Sequence, residues 1–408
     1  MRSGDRGLLR ARSEHEHGKV TFVELFFDLV FVFAVTQLSH SLLEHFTLIG
    51  AFETALLLMA VWWVWIYTSW VTNWLDPDKT AVRLMLFALM LAGLVLSTSI
   101  PRAFEAKGAA FAGAYVFMQV GRSLFTLWAL GPHNPRNFRN FQRITAWLVL
   151  AGAFWIAGAF VEGNARLGLW AVALLIEYAA PALGFWTPGL GRSTTADWDI
   201  EGSHMAERCG LFIIIALGES ILVTGAKFAE LPWTVATTAA FASAFVGSVA
   251  MWWIYFNIGA ERASKRIAQS SDPGRLGRLA YTYMHLPLVG GIIVAAVGDE
   301  LVLAHPAGYT DFKTAVALLT GPGLYLAGNL VFKRATADRP ALSHIAGLLL
   351  LVIVAPLALV AQPVTFSAAT TAVLVAVAVW ETASLTPGRA TDAPSPPGGR
   401  TQDKGQSN

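Results

Sequence analysis

Residues Thr21 to His40 read TFVELFFDLVFVFAVTQLSH, an apolar run long enough to cross a bilayer that nevertheless carries Glu24, Asp28, Gln37 and His40. A carboxylate in a spanning helix costs about 2.5 to 3.5 kcal/mol on insertion scales, so it needs a solvating partner or cavity. The acids therefore predict an inward-facing helix. Composition agrees with a membrane setting: 55% of the residues are hydrophobic, 14% are charged and mean hydropathy is +0.53. A soluble domain of this length does not carry such a balance. The single cysteine, Cys209, excludes disulfides and cysteine metal sites within the chain.

Working outward, the residues before this run, MRSGDRGLLRARSEHEHGK, are polar and basic, and no small-residue cleavage site follows. An uncleaved first helix is expected rather than a signal peptide. Twelve runs of spanning length follow one another, at 20–43, 49–72, 80–100, 108–130, 142–161, 165–186, 205–226, 232–258, 278–299, 312–332, 341–361 and 364–384. Turn and charge clusters such as DPDK (76–79) and SSDPGR (270–275) separate them. The fold class is therefore an all-α polytopic membrane protein. Of the 29 Lys and Arg residues, 23 fall on the side of the N-terminus and 5 on the other, with Arg122 inside a run. That bias places both termini in the cytoplasm.

The two halves echo each other. MAVWWVWIY (59–67) in the second run returns as VAMWWIY (249–255) in the eighth, Glu24 opens the first run as Glu207 opens the seventh, and GRSLF (121–125) parallels GNLVF (328–332). An even number of helices per half makes these parallel repeats. The expected organisation is a cytoplasmic basic tail (1–19), a six-helix half (20–186), a connecting loop (187–204), a second six-helix half (205–384) and a disordered tail (385–408), with the first and seventh helices innermost.

Four stretches together resemble the bacterial low temperature requirement A (LtrA) family: VELFFDLVFVFAVTQLSH near the start, the Trp-rich second run, AERCGLFIIIALGESIL (206–222) and YMHLPLVGGIIVAAVG (283–298). The resemblance spans about 19–381, and the family is defined by a cold-growth phenotype rather than by a reaction. DLVFVFAVTQL (28–38) is also similar to the first-helix segment D-G-V-F-A-I-A-I-T-L-L of potassium channels built from six-helix repeats. Where those channels carry an arginine and a serine, this chain has Phe22 and Phe27, and Leu211 stands at the aspartate's position in the second half. The similarity implies shared architecture more than potassium selectivity.

Candidate ion-handling residues follow from cost and depth. Glu24 and Asp28 are four residues apart and share a helix face with Val35 and Ser39. Such a stripe could line a cation or proton path, or Glu24 could pair with a loop arginine. Glu219, beside Gly218 and Ser220, lies about 20 Å below the start of the seventh run at 1.5 Å per residue; an ion pair with Arg122 is the structural alternative. Glu207 and His285 complete the set, His285 as a relay or as a satisfied structural group. Gly321-Pro322-Gly323 could interrupt the tenth helix, and the tryptophans at 62, 63, 65, 252 and 253 read best as packing. Glu53, Glu177 and Asn329 gain no role. Nucleophile-elbow, zinc and phosphate-loop motifs are absent from the sequence, so no catalytic residue, metal or cofactor is expected. The expected partners are the bilayer and a small ion or solute, with a homo-oligomer possible and nucleic acid excluded. Transport along the first and seventh helices is the leading expectation; a scaffold or envelope factor for growth in the cold is the second, and a lipid enzyme the third.

Overall fold

The computed structural model describes residues 7–10, 20–131, 134–194, 201–257, 273–336 and 341–385. The terminal tail expected to be disordered lies outside them, as does most of the basic N-terminal tail. Among the described residues twelve helical segments follow in order. They are α1 (Phe22–Glu44), α2 (Leu48–Trp74), α3 (Thr80–Ser99), α4 (108–130, with a wide turn at Phe117–Gly121), α5 (Pro135–Ala159) and α6 (Gly163–Ala179), then α7 (Gly202–Ala229), α8 (Val235–Phe256), α9 (273–304, with a wide turn at Arg278–Tyr283), α10 (Phe312–Thr336), α11 (Leu342–Val354, prolonged by a tight turn) and α12 (Pro363–Leu385). Ten are long and apolar enough to cross a membrane. In a bilayer only helices or closed barrels satisfy their own backbone, which is why long apolar runs become helices throughout.

The neighbours of α1–α6 recur in α7–α12. In the first set α1 packs on α2 and α3, then α3 on α4, α4 on α5, α5 on α6, and α6 returns to α2. In the second, α7 packs on α8 and α9, α9 on α10, α10 on α11, α11 on α12, and α12 returns to α8. The correspondence reaches individual atoms. Arg122 on α4 donates to the carbonyl of Val64 on α2 at 3.1 Å, and Lys333 on α10 donates to that of Ile254 on α8 at 2.9 Å. Val64 and Ile254 each follow a Trp-Trp pair in the matching stretches.

Two expectations about the helices change. The most deeply buried spans are α9 and α2, with 67% and 61% of their apolar windows inside the protein, against 44% for both α1 and α7. The central seam is formed by α1 and α2 against α7 and α9, so α1 and α7 keep one face toward the surroundings. Nor does Gly321-Pro322-Gly323 interrupt α10, which runs through it. The glycines serve contact instead: a Cβ on Gly321 would stand 2.6 Å from the Ala295 nitrogen, and one on Gly291 would stand 2.6 Å from the Tyr325 nitrogen. Small residues let α9 and α10 approach backbone to backbone, the usual means of packing helices in lipid.

Candidate functional site

Three polar rungs join α1 to α7. At the first, Glu24 is fully buried; it accepts from Thr21 at the helix start at 2.9 Å, from Arg10 at 3.0 Å and from His204 at 2.9 Å. Arg10 is held there because the short segment before α1 pairs with the end of α2, through Leu9 opposite Leu75 and Arg10 N–H on the Trp74 carbonyl. Asn73 fixes the histidine. Its amide is oriented by donating to the Glu201 carbonyl and accepting the Glu201 N–H, so its nitrogen faces His204 Nδ1 at 3.2 Å. Nδ1 must then accept, Nε2 carries the proton, and neutral His204 donates to Glu24.

One turn further along, Asp28 accepts from Arg208 at 2.7 Å and from the Trp65 indole at 2.8 Å, all three side chains being buried. Arg208 also donates to Ser69 at 3.2 Å, and its guanidinium lies 5.5 Å from the centre of the Trp65 ring. The Trp65 ring is closed in by Phe212, at 4.4 Å between ring centres, and by Trp62, at 5.0 Å. Within this tight packing Asp28 Oδ2 and Arg208 Nε and Nη1 have no hydrogen-bond partner among the described residues, and Nη1 stands 3.9 Å from Glu24. Buried polar atoms left unpaired cost about 1–3 kcal/mol each, so such a group calls for water, a ligand or movement. At the third rung Thr36 on α1 donates to Glu219 on α7.

The rungs Glu24 to His204, Asp28 to Arg208 and Thr36 to Glu219 advance together along both helices, so α1 and α7 run in the same direction. Thr36 and Glu219 also occupy matching places, each twelve residues beyond the glutamates that open the two halves. With Arg10 and Arg208 positive, Glu24 and Asp28 negative and His204 neutral, the first two rungs balance in charge. An incoming cation therefore meets no spare negative charge unless an arginine lets go.

This seam falls inside the region that a family model matches. The model of the bacterial low temperature requirement A protein (LtrA) covers residues 19–379. The chain belongs to the LtrA family. A relative from Rhizobium meliloti (strain 1021), named Uncharacterized protein RA0937, is 45% identical over 368 residues, which is 90% of each chain. No solved structure matches.

The remaining candidates of this LtrA-family chain are dispersed. Glu207 is exposed and, among the described residues, accepts from the Val20 N–H alone, at 3.4 Å, so it does not mirror buried Glu24. Ser39 is half-buried and takes no part in the ladder, where Thr36 forms the third rung; packed helices cross at an angle, so their contact seam drifts off a fixed stripe. Glu219 is half-buried and does not pair with Arg122. Arg122 instead holds the Val64 carbonyl, Thr68 and Gln119, and Gln119 passes the contact to Glu177, which also accepts from Tyr115 and Trp155. The buried Ser220 hydroxyl has no hydrogen-bond partner among the described residues. His285 donates from Nδ1 to the Ala280 carbonyl at 2.9 Å and accepts from Tyr255 at 2.7 Å, a satisfied structural arrangement. Among the described residues no group of three or more His, Cys, Asp or Glu could hold a metal.

Sequence reading missed His204, Asn73, Thr36 and the polar role of Trp65. One signal was present. Glu24 and Asp28 are spaced as His204 and Arg208 are, so an acid pair and a basic pair at one-turn spacing open the two halves. His204 was passed over because it precedes the apolar run, although α7 begins at Gly202.

Proposed function

We propose that this LtrA-family protein moves a small ion or solute across the bacterial plasma membrane along the seam between α1 and α7, without catalysing a reaction and with both termini in the cytoplasm. The observation that carries this reading is the ladder of costly polar groups on the seam where the two six-helix sets meet. A stability-driven design does better by filling such positions with apolar side chains, because buried ion pairs rarely repay their desolvation. A seam between two packed bodies is also where a small relative displacement opens a path on alternate sides. In this scheme Asp28 and Arg208 are the pair whose parting admits the solute. Glu24 with His204 and Arg10 closes the end at which α1 begins, and Glu219 with Thr36 lines the deeper part.

The test is flux into proteoliposomes under imposed proton, sodium and potassium gradients, with Asp28→Asn and Glu219→Gln beside the unaltered protein. Loss of flux in variants that remain folded is the expected result; unchanged flux in both removes these residues from the path. A second reading, a membrane scaffold, draws on the fact that both seam carboxylates on α1 already bind partners on α7. It expects the combined Asp28→Asn, Arg208→Gln variant to keep every function it keeps in stability, whereas transport expects it to fold and carry nothing.

A further inference from the structure

A proline decides where the wide turn of α9 needs outside help. In this turn an N–H reaches back five residues instead of four, as Met284 does to the Leu279 carbonyl at 3.2 Å. In that register the Thr282 carbonyl faces position 287, and Pro287 has no N–H to give. A buried carbonyl so placed needs another donor. The indole of Trp62 on α2 supplies it at 2.7 Å, and Trp70 donates to the Thr282 hydroxyl at 3.0 Å. In the regular register the same proline would leave the Tyr283 carbonyl open instead, because an α-helical N–H reaches back four residues. Trp62 therefore favours the wide turn by capping the carbonyl that this register exposes.

The same indole touches the seam. Trp62 stacks on Trp65 with ring centres 5.0 Å apart, and Trp65 donates to Asp28 and lies 5.5 Å from the Arg208 guanidinium. All four side chains are buried. Two stacked indoles thus join the turn to the Asp28–Arg208 pair, in packing dense enough that one cannot shift without displacing the other. The turn is also fastened to the first six-helix set: Arg278 donates to the Pro181 carbonyl and the Tyr283 hydroxyl to the Tyr178 carbonyl, each at 3.0 Å.

We propose that the wide turn at Arg278–Tyr283 is a two-register hinge in α9, coupled through Trp62 and Trp65 to the Asp28–Arg208 pair. The proposal rests on the transport reading, in which the parting of that pair is the event the hinge answers. When the pair parts, Trp65 loses its acceptor, Trp62 follows it away from the Thr282 carbonyl, and the turn reverts to the regular register. Dropping the extra residue from the turn rotates the segment before it, so Arg278 leaves Pro181 and the two sets are released from each other at this point.

The experiment is amide hydrogen exchange on the purified full-length protein, read over 279–286. Trp62→Phe, which keeps a ring but removes the donor, should speed exchange there roughly 2- to 12-fold, the effect of one lost hydrogen bond. Asp28→Asn should speed the same amides, while those of α11, which packs on α10 and α12, exchange as before. Glu219→Gln, on a rung that does not touch Trp65, should leave the turn unchanged. Pro287→Ala restores an N–H and should suppress the effect of Trp62→Phe, because the backbone then replaces the indole as donor. Should Asp28→Asn not fold, Trp65→Phe tests the same link without stranding a charge. The proposal is overturned if neither Asp28→Asn nor Trp65→Phe alters exchange at the turn, if α11 speeds up equally, or if Pro287→Ala fails to suppress Trp62→Phe. Exchange is read without solute or gradient, so its outcome decides the hinge whether or not the flux experiment supports transport.

Discussion

Asp28 and Arg208 show how a buried ion pair sets its own tests. Each loses its water on burial and is repaid only by the other together with Trp65 and Ser69. Removing one partner strands a charge, so Asp28→Asn or Arg208→Gln alone should lower the unfolding free energy by roughly 3–5 kcal/mol. The double variant should lose less than the sum, and a double-mutant cycle in detergent by chemical unfolding reads the coupling. A second residue-scale case lies outside the spans. Asp311 precedes α10 and accepts the Thr314 N–H at 2.8 Å; partial desolvation raises its carboxyl, but the Thr314 side chain and N–H together with the nearby charges of Lys313 and His305 outweigh it and hold the group below the usual carboxylate range. A depressed value means the folded state favours the ionised form, so the contribution is present above the ordinary value of 3.8 and is lost as pH falls through the folded value. Asp311→Ala should therefore lower Tm near neutral pH and change it little in acid, as parallel melts of the two proteins would show.

At the scale of elements, the contact between α9 and α10 is governed by absence of side chains. Gly291 and Gly321 face backbone atoms of the opposite helix, which cannot move aside as a flexible side chain can. Gly321→Ala or Gly291→Ala should cost about 1–3 kcal/mol by forcing the helices apart, whereas Gly323→Ala, with open space around its Cβ position, should be close to neutral. Melting temperatures of the three variants provide the comparison. The start of α7 shows a different dependence. His204 lies in its first turn, so the histidine meets Glu24 only because the helix begins before the apolar run does. His204→Ala removes a donor to Glu24 and the partner of Asn73, and should weaken the seam at one end while leaving the Asp28–Arg208 contact intact.

For the whole molecule, the repeated neighbour pattern makes the α1–α7 seam the boundary between two similar bodies. The bodies differ in how they settle their buried charge: in the first, Arg122 reaches Glu177 through Gln119, and in the second Lys333 binds Glu381 directly. Lys333→Met should therefore destabilise the second set more than Arg122→Gln does the first, since Glu381 would lose its cation while Glu177 keeps three neutral donors. Limited proteolysis of each variant would report which set opens. The orientation expected from the Lys and Arg bias is checked by reporter fusions at both ends, which should report the cytoplasmic side.

What the sequence determined by itself was the membrane class, the number and order of the helices, their parallel pairing as two sets and the cost of Glu24 and Asp28. These depend on local hydropathy, charge placement and internal similarity, which a linear reading holds in full. Tertiary structure alone decided which polar groups meet. Glu24 finds His204, Asp28 finds Arg208 and Thr36 finds Glu219 across about 180 residues of chain, and the depth of Glu219 and Arg122 misled because depth is one coordinate and a contact needs three. The face a residue presents, and whether Gly321 bends a helix or seats another against it, depend on neighbours brought in from elsewhere in the chain. Those neighbours exist only once the two sets have packed.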